Sequence, residues 1–351
     1  MSTTAKEAPS SLFSLLPNEI VLNILARVPR WYHPILSCVS KNLRSLVSSS
    51  ELKITRSLLE KDRFYVCFQE HSNSPSLTTY HWFSFTENRR CLVSIPFTSP
   101  VEPYFAILTL GPEIDFVGKS RSMWILDSRS GKLRQGPRPL VACDQAAVGL
   151  VNDKIYVFGG IDDMNKRYYE GIHAQVFDLK TQTWHVGPNL SVKLACLNRS
   201  VVTPSLGRKI YVRGTDRDVT IYDIRDGKCD KIIPADDFSS GDMCVVDNVI
   251  YMYYHNVGLM WYESKEKQWS VVHGLEFNGV FNSIAIAEYN GKLAFLWHDR
   301  NKREIWCAMI NLYGSSKVAI RGRVEWSHRL LSDLPSNYNF KHFTICTDYD
   351  Y

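Results

Sequence analysis

At 351 residues the chain exceeds one ordinary hydrophobic core and suits one small domain beside one large one. A hydrophobic fraction of 45% against 22% charged residues excludes wholesale disorder, and 41 Lys+Arg over 36 Asp+Glu, a net charge of +5, is too thin for a nucleic-acid groove. The unusual enrichment is aromatic: 9 Trp, 18 Tyr and 16 Phe beside 19 Gly point to many short, stacked β-strands.

The 9 cysteines are odd in number and scattered, with no Cys-x-x-Cys, so neither a zinc knuckle nor a redox dithiol is written here. Cys67, Cys196, Cys244, Cys307 and Cys346 sit in apolar runs, where Cys behaves as a small hydrophobe, and scattered buried thiols suit a reducing compartment. The longest apolar stretch, around Tyr104–Leu110, falls far short of the ~18 residues of a membrane span, and MSTTAKEAPSS at the start lacks the apolar segment of a secretory signal. The expectation is a cytoplasmic or nuclear protein with no membrane and no nucleic-acid partner.

In chain order, residues 1–11 are expected as a flexible tail and 12–50 as a small helical unit. Pro17 suits a first helical position and Glu19 favours the positive end of the helix dipole. Ile20, Ile24, Leu25 and Val28 then trace one face of a 3.6-residue repeat, and Pro29 stops it. After Trp31-Tyr-His-Pro34 a second helical pattern runs through Leu36, Val39, Leu43, Leu46 and Val47, with Lys41 and Arg44 on the other side. Residues 51–61 are expected as a third helix linking to the next domain. Some fifty residues remove too little surface from water for a self-sufficient core. The apolar faces therefore either cap the large domain or are kept for a separate protein.

Leu16-Pro17-x-Glu19-Ile20-x3-Ile24-Leu25-x-Arg27-Val28-Pro29, followed by Val39-Ser40-Lys41-x2-Arg44-x-Leu46, resembles the F-box motif in its plant form. The resemblance implies docking onto the Skp-type adaptor of a cullin–RING ubiquitin ligase. By that carry-over Leu16, Pro17, Ile20, Leu25, Val28, Pro29, Leu36, Val39 and Leu43 are adaptor-contacting or framework positions. Many members place an aromatic where this chain has Leu43.

From residue 62 to 351 the sequence repeats. A strand-like heptapeptide recurs as RFYVCFQ at 63, EIDFVGK at 113, KIYVFGG at 154, KIYVRGT at 209, VIYMYYH at 249 and KLAFLWH at 292. Each is an apolar run bounded by turn residues or polar loops, the pattern of a buried central strand. Behind it an acid and a large residue keep one spacing: Asp127-x5-Leu133, Asp178-x5-Trp184, Asp223-x5-Cys229 and Glu263-x5-Trp269, with Thr86-x5-Leu92 in the same frame. The acid is expected to end a strand and bind the turn's own N–H groups, while the large residue begins the next strand and fills space between sheets. The last unit breaks frame, with an expected insertion around Gly314 between Glu304–Ile310 and Arg323–Trp326.

Six units of four strands make a β-propeller. Gly159-Gly160, the Tyr168-Tyr169 loop, Asp178 and Trp184 together resemble a kelch repeat. The expected fold is thus α+β and multidomain: a small N-terminal helical F-box followed by an all-β six-bladed kelch-type propeller. The strand Phe340–Cys346 is expected to close the first blade, because an open ring would expose its edges.

Little chemistry is legible. There is no His-x3-His, His-Glu-x2-His, phosphate loop or Gly-x-Ser-x-Gly elbow. Some kelch proteins that resemble this one bind iron through Glu-x3-Asp-x3-His, a pattern this chain lacks. No catalytic residue, metal or cofactor is therefore assigned. The loop 161–172 carries Asp162, Arg167, Tyr168 and Tyr169, the mixed polar and aromatic composition of a recognition surface, although a solvated loop looks similar, and Arg213, Arg217, His255, Asn256, His298 and Arg300 occupy equivalent strand-end positions in other blades. Two classes of function stand open. The resemblance implies a non-catalytic substrate receptor that joins a protein target to the adaptor and, through it, to cullin and RING proteins. The alternative is a propeller enzyme or metal-assisted specifier protein with a helical cap, or a kelch scaffold.

Overall fold

The computed structural model describes residues 16–28, 32–52, 55, 63–71, 78–95, 106–118, 120–128, 130–143, 146–158, 174–187, 205–213, 219–232, 240–255, 257–263, 265–275, 281, 283–299, 301–315 and 319–346. The helical unit begins with α1 (Asn18–Arg27), preceded by Pro17 in an extended conformation whose carbonyl accepts from the Ile20 and Val21 N–H groups. Pro17 is thus the cap, one place before the first helical residue. The second helical pattern is not one helix but two, α2 (His33–Val39) and α3 (Lys41–Val47). The break falls at Ser40, which turns extended and caps α3 through its hydroxyl, accepting from the Leu43 N–H at 3.1 Å. A serine that can serve the backbone this way prefers a helix start to a helix interior. Of the expected third helix, residues 50–52 and 55 are helical and the remainder lies outside the described residues.

Strands follow in six four-stranded antiparallel sheets. The first contains β1 (Arg63–His71), β2 (Thr78–Phe85) and β3 (Val93–Ser94). The second is β4 (Ala106–Leu110), β5 (Glu113–Val117), β6 (Met123–Asp127) and β7 (Lys132–Gln135). The third is β8 (Ala147–Val151), β9 (Lys154–Phe158), β10 (Ala174–Asp178) and β11 (Thr183–Val186). The fourth is β12 (Ser205–Leu206), β13 (Lys209–Arg213), β14 (Val219–Asp223) and β15 (Cys229–Ile232). The fifth is β16 (Ser240–Val246), β17 (Val249–Tyr254), β18 (Gly258–Glu263) and β19 (Gln268–Val271). The sixth is β20 (Ser283–Tyr289), β21 (Lys292–Asp299), β22 (Glu304–Ser315) and β23 (Ala319–Leu331). The last strand, β24 (Tyr338–Cys346), returns to the first sheet and pairs antiparallel with β1, Arg63 opposite Cys346.

The repeated heptapeptides are the second strands, and their unbroken apolar character has a packing cause. Each of six apolar clusters lies between two neighbouring sheets, so a second strand is buried on both faces. In β1, Phe64, Val66 and Phe68 point to the sixth sheet while Tyr65 and Cys67 point to the second. In β21, Leu293, Phe295 and Trp297 meet the fifth sheet, and Ala294 and Leu296 meet the first. Around the axis β16 meets β20, β20 meets β24, β24 meets β4, β4 meets β8 and β8 meets β12. This is a six-bladed propeller with its first strands innermost.

The acid-and-large-residue spacing has the expected mechanics. Asp178 accepts from the Lys180 and Thr181 N–H groups at 2.9 and 3.1 Å, and those bonds, the Thr181 one foremost, hold its carboxyl below the usual range. Asp223 accepts from the Arg225 N–H at 3.0 Å. Four residues beyond the acid the backbone turns left-handed, at Gly131 (φ 68°), Gln182 (φ 57°), Gly227 (φ 68°) and Lys267 (φ 52°), where glycine carries no Cβ penalty. Leu92, Leu133, Trp184, Cys229 and Trp269 then each pack against the cluster shared with the preceding blade.

In the sixth blade the insertion around Gly314 takes the form of longer outer strands: β22 and β23 stay paired as one ribbon up to Ser315 opposite Ala319. The extra length docks on the fifth blade, where His273 N–H donates to the Ile320 carbonyl at 3.1 Å and Gly322 N–H to the His273 carbonyl at 2.8 Å. A Cβ at Gly322 would stand 2.8 Å from the Leu275 side chain, so only glycine admits that contact without a shift.

Candidate functional site

The chain enters the propeller at Arg63, the first residue of β1, so the helical unit joins the ring at the end where second strands begin. That end also carries the turns between third and fourth strands. The connections from second to third strands gather at the opposite end, because adjacent strands alternate in direction.

On the helical unit, Val21, Leu25, Ala26 and Leu52 form a small core, with half-buried Leu22, Leu36, Leu43, Leu46 and Val47 against it. Among the described residues every member comes from the helical unit itself and none from the propeller. Outside this core stand Leu16 at 38% exposure, Ile20 at 48%, Ile24 at 39%, Ile35 at 60% and Val39 at 68%. The nine sequence-assigned positions thus divide. Leu16, Pro17, Ile20 and Val39 are exposed; Leu25 is buried; Val28, Leu36 and Leu43 are intermediate; Pro29 lies outside the described residues. Ile24 and Ile35 were not among those positions and belong with the exposed group. The i, i+4 spacing of Ile20 and Ile24 on α1 was the available signal for the first.

Of the loop and strand-end candidates, Asp162, Arg167, Tyr168, Tyr169, Arg217, Asn256 and Arg300 lie outside the described residues. Arg213 ends β13, paired with Val219. His255 follows β17, partly exposed, its ring edge-on to Tyr253 with centroids 5.8 Å apart. His298 differs from the expected exposed strand end. It lies within β21 between Ser283 and Ile305 at 6% exposure, because β21 runs one residue further, to Asp299. The turn position falls to Asp299, which accepts from the Lys302 N–H at 3.1 Å.

The strongly displaced titrations lie elsewhere, inside the ring. Burial pushes Asp115 on β5 up to about 7, helped by Glu113, and pushes His342 on β24 down to about 3. Burial likewise raises the Cys143 thiol to about 12. Among the described residues no group of three or more His, Cys, Asp and Glu side chains is placed to hold a metal ion. No helix among them is long and apolar enough to cross a membrane.

A three-helix unit with an uncovered apolar face, followed by a six-bladed propeller built on kelch-like spacing, defines an F-box protein with a kelch propeller. Comparison with known sequences agrees. The F-box domain model matches residues 13–55, and the FKB95, Kelch-repeats domain model matches residues 64–331. An Arabidopsis thaliana F-box/kelch-repeat protein, At4g02310, is 99% identical over 349 residues, covering 99% of this chain and 100% of that one. Two further Arabidopsis thaliana F-box/kelch-repeat proteins are similar: At2g44630 is 42% identical over 95% of this chain and 93% of its own, and At2g44700 is 40% identical over 94% and 91%. The chain belongs to the F-box/kelch-repeat family.

Proposed function

We propose that this protein is the substrate-recognition subunit of a cullin–RING ubiquitin ligase of the SCF type. The observation that carries the reading is the exposure of Ile20, Ile24, Ile35 and Val39 on a helical unit whose described core members are all its own. Several large aliphatic side chains left in water on one small unit are the mark of a protein interface. The F-box resemblance names its occupant, a Skp-type adaptor, through which cullin and RING proteins would be reached. In this reading Leu16, Pro17, Ile20 and Val39 touch the adaptor, while Leu25, Leu36 and Leu43 hold the helices that present them.

The target protein would be held by the loops and strand ends that carry Asp162, Arg167, Tyr168, Tyr169, Arg213, Arg217, His255 and Arg300. The receptor makes and breaks no bond. It raises the local concentration of target lysines near the charged conjugating enzyme, which is catalysis by proximity. No disulfide joins the eight cysteines described, which suits the reducing cytoplasm or nucleus proposed as its location.

Co-purification of the full chain with a Skp-type adaptor tests the first half: Leu16→Ala with Pro17→Ala should remove the adaptor from the complex and leave the propeller folded. Retention of stoichiometric adaptor by that variant overturns the assignment. For the second half, alanine at Arg167, Tyr168 and Tyr169 together should abolish target capture, in affinity purification with the proteasome blocked, while adaptor binding persists.

A further inference from the structure

The pairing of β22 with β21 finishes at Ile310 opposite Leu293, yet β22 continues to Ser315 with β23 beside it. The fourth strands of the first five blades hold 2 to 4 residues, whereas β23 holds 13. The fifth blade adds a third chain to this extension, because His273 forms a parallel bridge with Arg321. One face of the extension is spent on packing: Ile320 enters the core between the fifth and sixth blades, as does Val272 beside His273. Strand alternation then places Arg321 on the other face, in a row with its partners Tyr313 and His273. Two residues on, Arg323 stands on that same face opposite Asn311.

Tyr313 is 50% exposed, and Arg321, Arg323 and His273 are exposed as well. Among the described residues neither arginine nor His273 has a side-chain hydrogen bond or ion pair. The acids within reach of this ribbon are engaged with other groups. Glu325 takes Lys292 at 2.7 Å, and Glu87 accepts from Trp326 Nε1 at 3.2 Å and from the Tyr289 hydroxyl at 3.3 Å. Single charges on an edge strand guard against sheet-to-sheet pairing. Here the cations line up across neighbouring strands with a tyrosine, and Arg and Tyr are the residues that protein interfaces favour. The docked backbone, with Gly322 against Leu275, holds the face ready before any partner arrives. Three strands span about 10 Å, the width of one extended chain and its side chains. Nucleic acid fits less well, since its affinity comes from many phosphate contacts along a track and this face offers two arginines.

We propose that this face of the β22–β23 ribbon docks an acidic, extended segment of a protein partner. Its carboxylates take the guanidinium groups of Arg321 and Arg323, and an apolar side chain of the segment lies on the Tyr313 ring.

Fluorescence anisotropy on the full chain tests this with a labelled peptide of alternating Glu and Leu, about six residues or ~20 Å long when extended. The expected result is saturable binding that weakens about tenfold or more in the Arg321→Glu, Arg323→Glu variant. Lys132→Glu with Arg225→Glu makes the same charge change on the second and fourth blades and should stay within about twofold of the parent. Tyr313→Ala, which leaves the charge alone, should weaken binding about threefold or more. Absence of saturable binding, equal losses in the two charge variants, or tighter binding of a labelled oligothymidine of similar length overturns the proposal. Should the glutamate pair fail to fold, Arg321→Gln with Arg323→Gln gives the same reading, and a Kd within about twofold of the parent counts against the site. No adaptor is present in the titration, so its failure leaves the ligase assignment to its own test.

Discussion

Gln175, on the third strand of the third blade, is bonded to Val141 in the segment that leads in from the second: Gln175 Nε2 donates to the Val141 carbonyl at 3.1 Å. The same side chain accepts through Oε1 from the Leu140 N–H at 2.9 Å, and its Nε2 also donates to Cys143 Sγ at 2.9 Å. Alternate carbonyls of this segment are taken up in the same way, Pro137 by Trp184 Nε1 and Pro139 by Arg121 Nε, each at 3.0 Å. A connection carried between two blades cannot pair with a ladder, so its peptide groups are served by side chains from the sheets on either side.

Gln175→Leu keeps the volume and removes those bonds. It leaves the Leu140 N–H without its side-chain acceptor and the Val141 carbonyl with only the Cys143 thiol, at 3.5 Å, at about 1–3 kcal/mol for the first and less for the second. The expected outcome is a loss of about 2–4 kcal/mol in denaturant unfolding, with no effect on adaptor capture. A change below about 0.5 kcal/mol shows that water serves these groups equally well.

Removing residues 338–351 deletes β24, which pairs along β1 and meets β20 and β4 at the axis. The truncated chain should express as aggregate, because β1 gains an open edge and one side of Phe64, Val66 and Phe68 loses its cover. A soluble monomer with the parent melting temperature shows that the ring stays closed without it.

Two buried groups give stability an opposed pH dependence. Asp115 titrates near 3.8 when unfolded and near 7 in the fold, so the native state holds an extra proton between these values and stability falls as pH rises through them. His342 titrates near 6.5 unfolded and near 3 folded, so the unfolded state holds the extra proton and stability falls as pH drops through that window. Asp115→Asn should therefore gain on the parent as pH rises from 4 to 8, and His342→Gln should gain as pH falls from 7 to 4, in urea midpoints across that range. A difference from the parent that does not vary with pH removes the titration argument for that residue.

Buried and exposed positions of the helical unit should respond differently. Leu25→Ala opens the small core and should cost about 2–5 kcal/mol, taking helicity and adaptor capture down together. Ile20→Asp with Val39→Asp changes exposed side chains and should abolish capture with the circular dichroism spectrum unchanged. Capture retained by the aspartate pair places the contact surface elsewhere on the unit.

Reading residues alone succeeds where one element has one physical reason. The six second strands were legible because burial on both faces leaves runs such as KIYVF almost wholly apolar. The acid spacing was legible because a four-residue turn fixes it whatever surrounds the blade. The break at Ser40 was not: Val39 and Leu43 continue a helical period across it, and the competing signal is a single cap bond. The length of the β22–β23 ribbon was also hidden, since what stabilises it is the fifth blade, distant in sequence at His273 and Leu275. His298 read as a strand end open to a partner, and one further position of strand length is enough to bury it.

The amino-acid order alone determined the helical unit, the sixfold repeat and the family, because periodicity and turn chemistry are local properties that survive without neighbours. Only the tertiary structure decided that the described helices pack a core among themselves, that His298 is buried inside β21, and that the β22–β23 ribbon docks on the fifth blade. Those facts depend on which segments approach through space, and approach is set by the closure of the ring rather than by any stretch of chain.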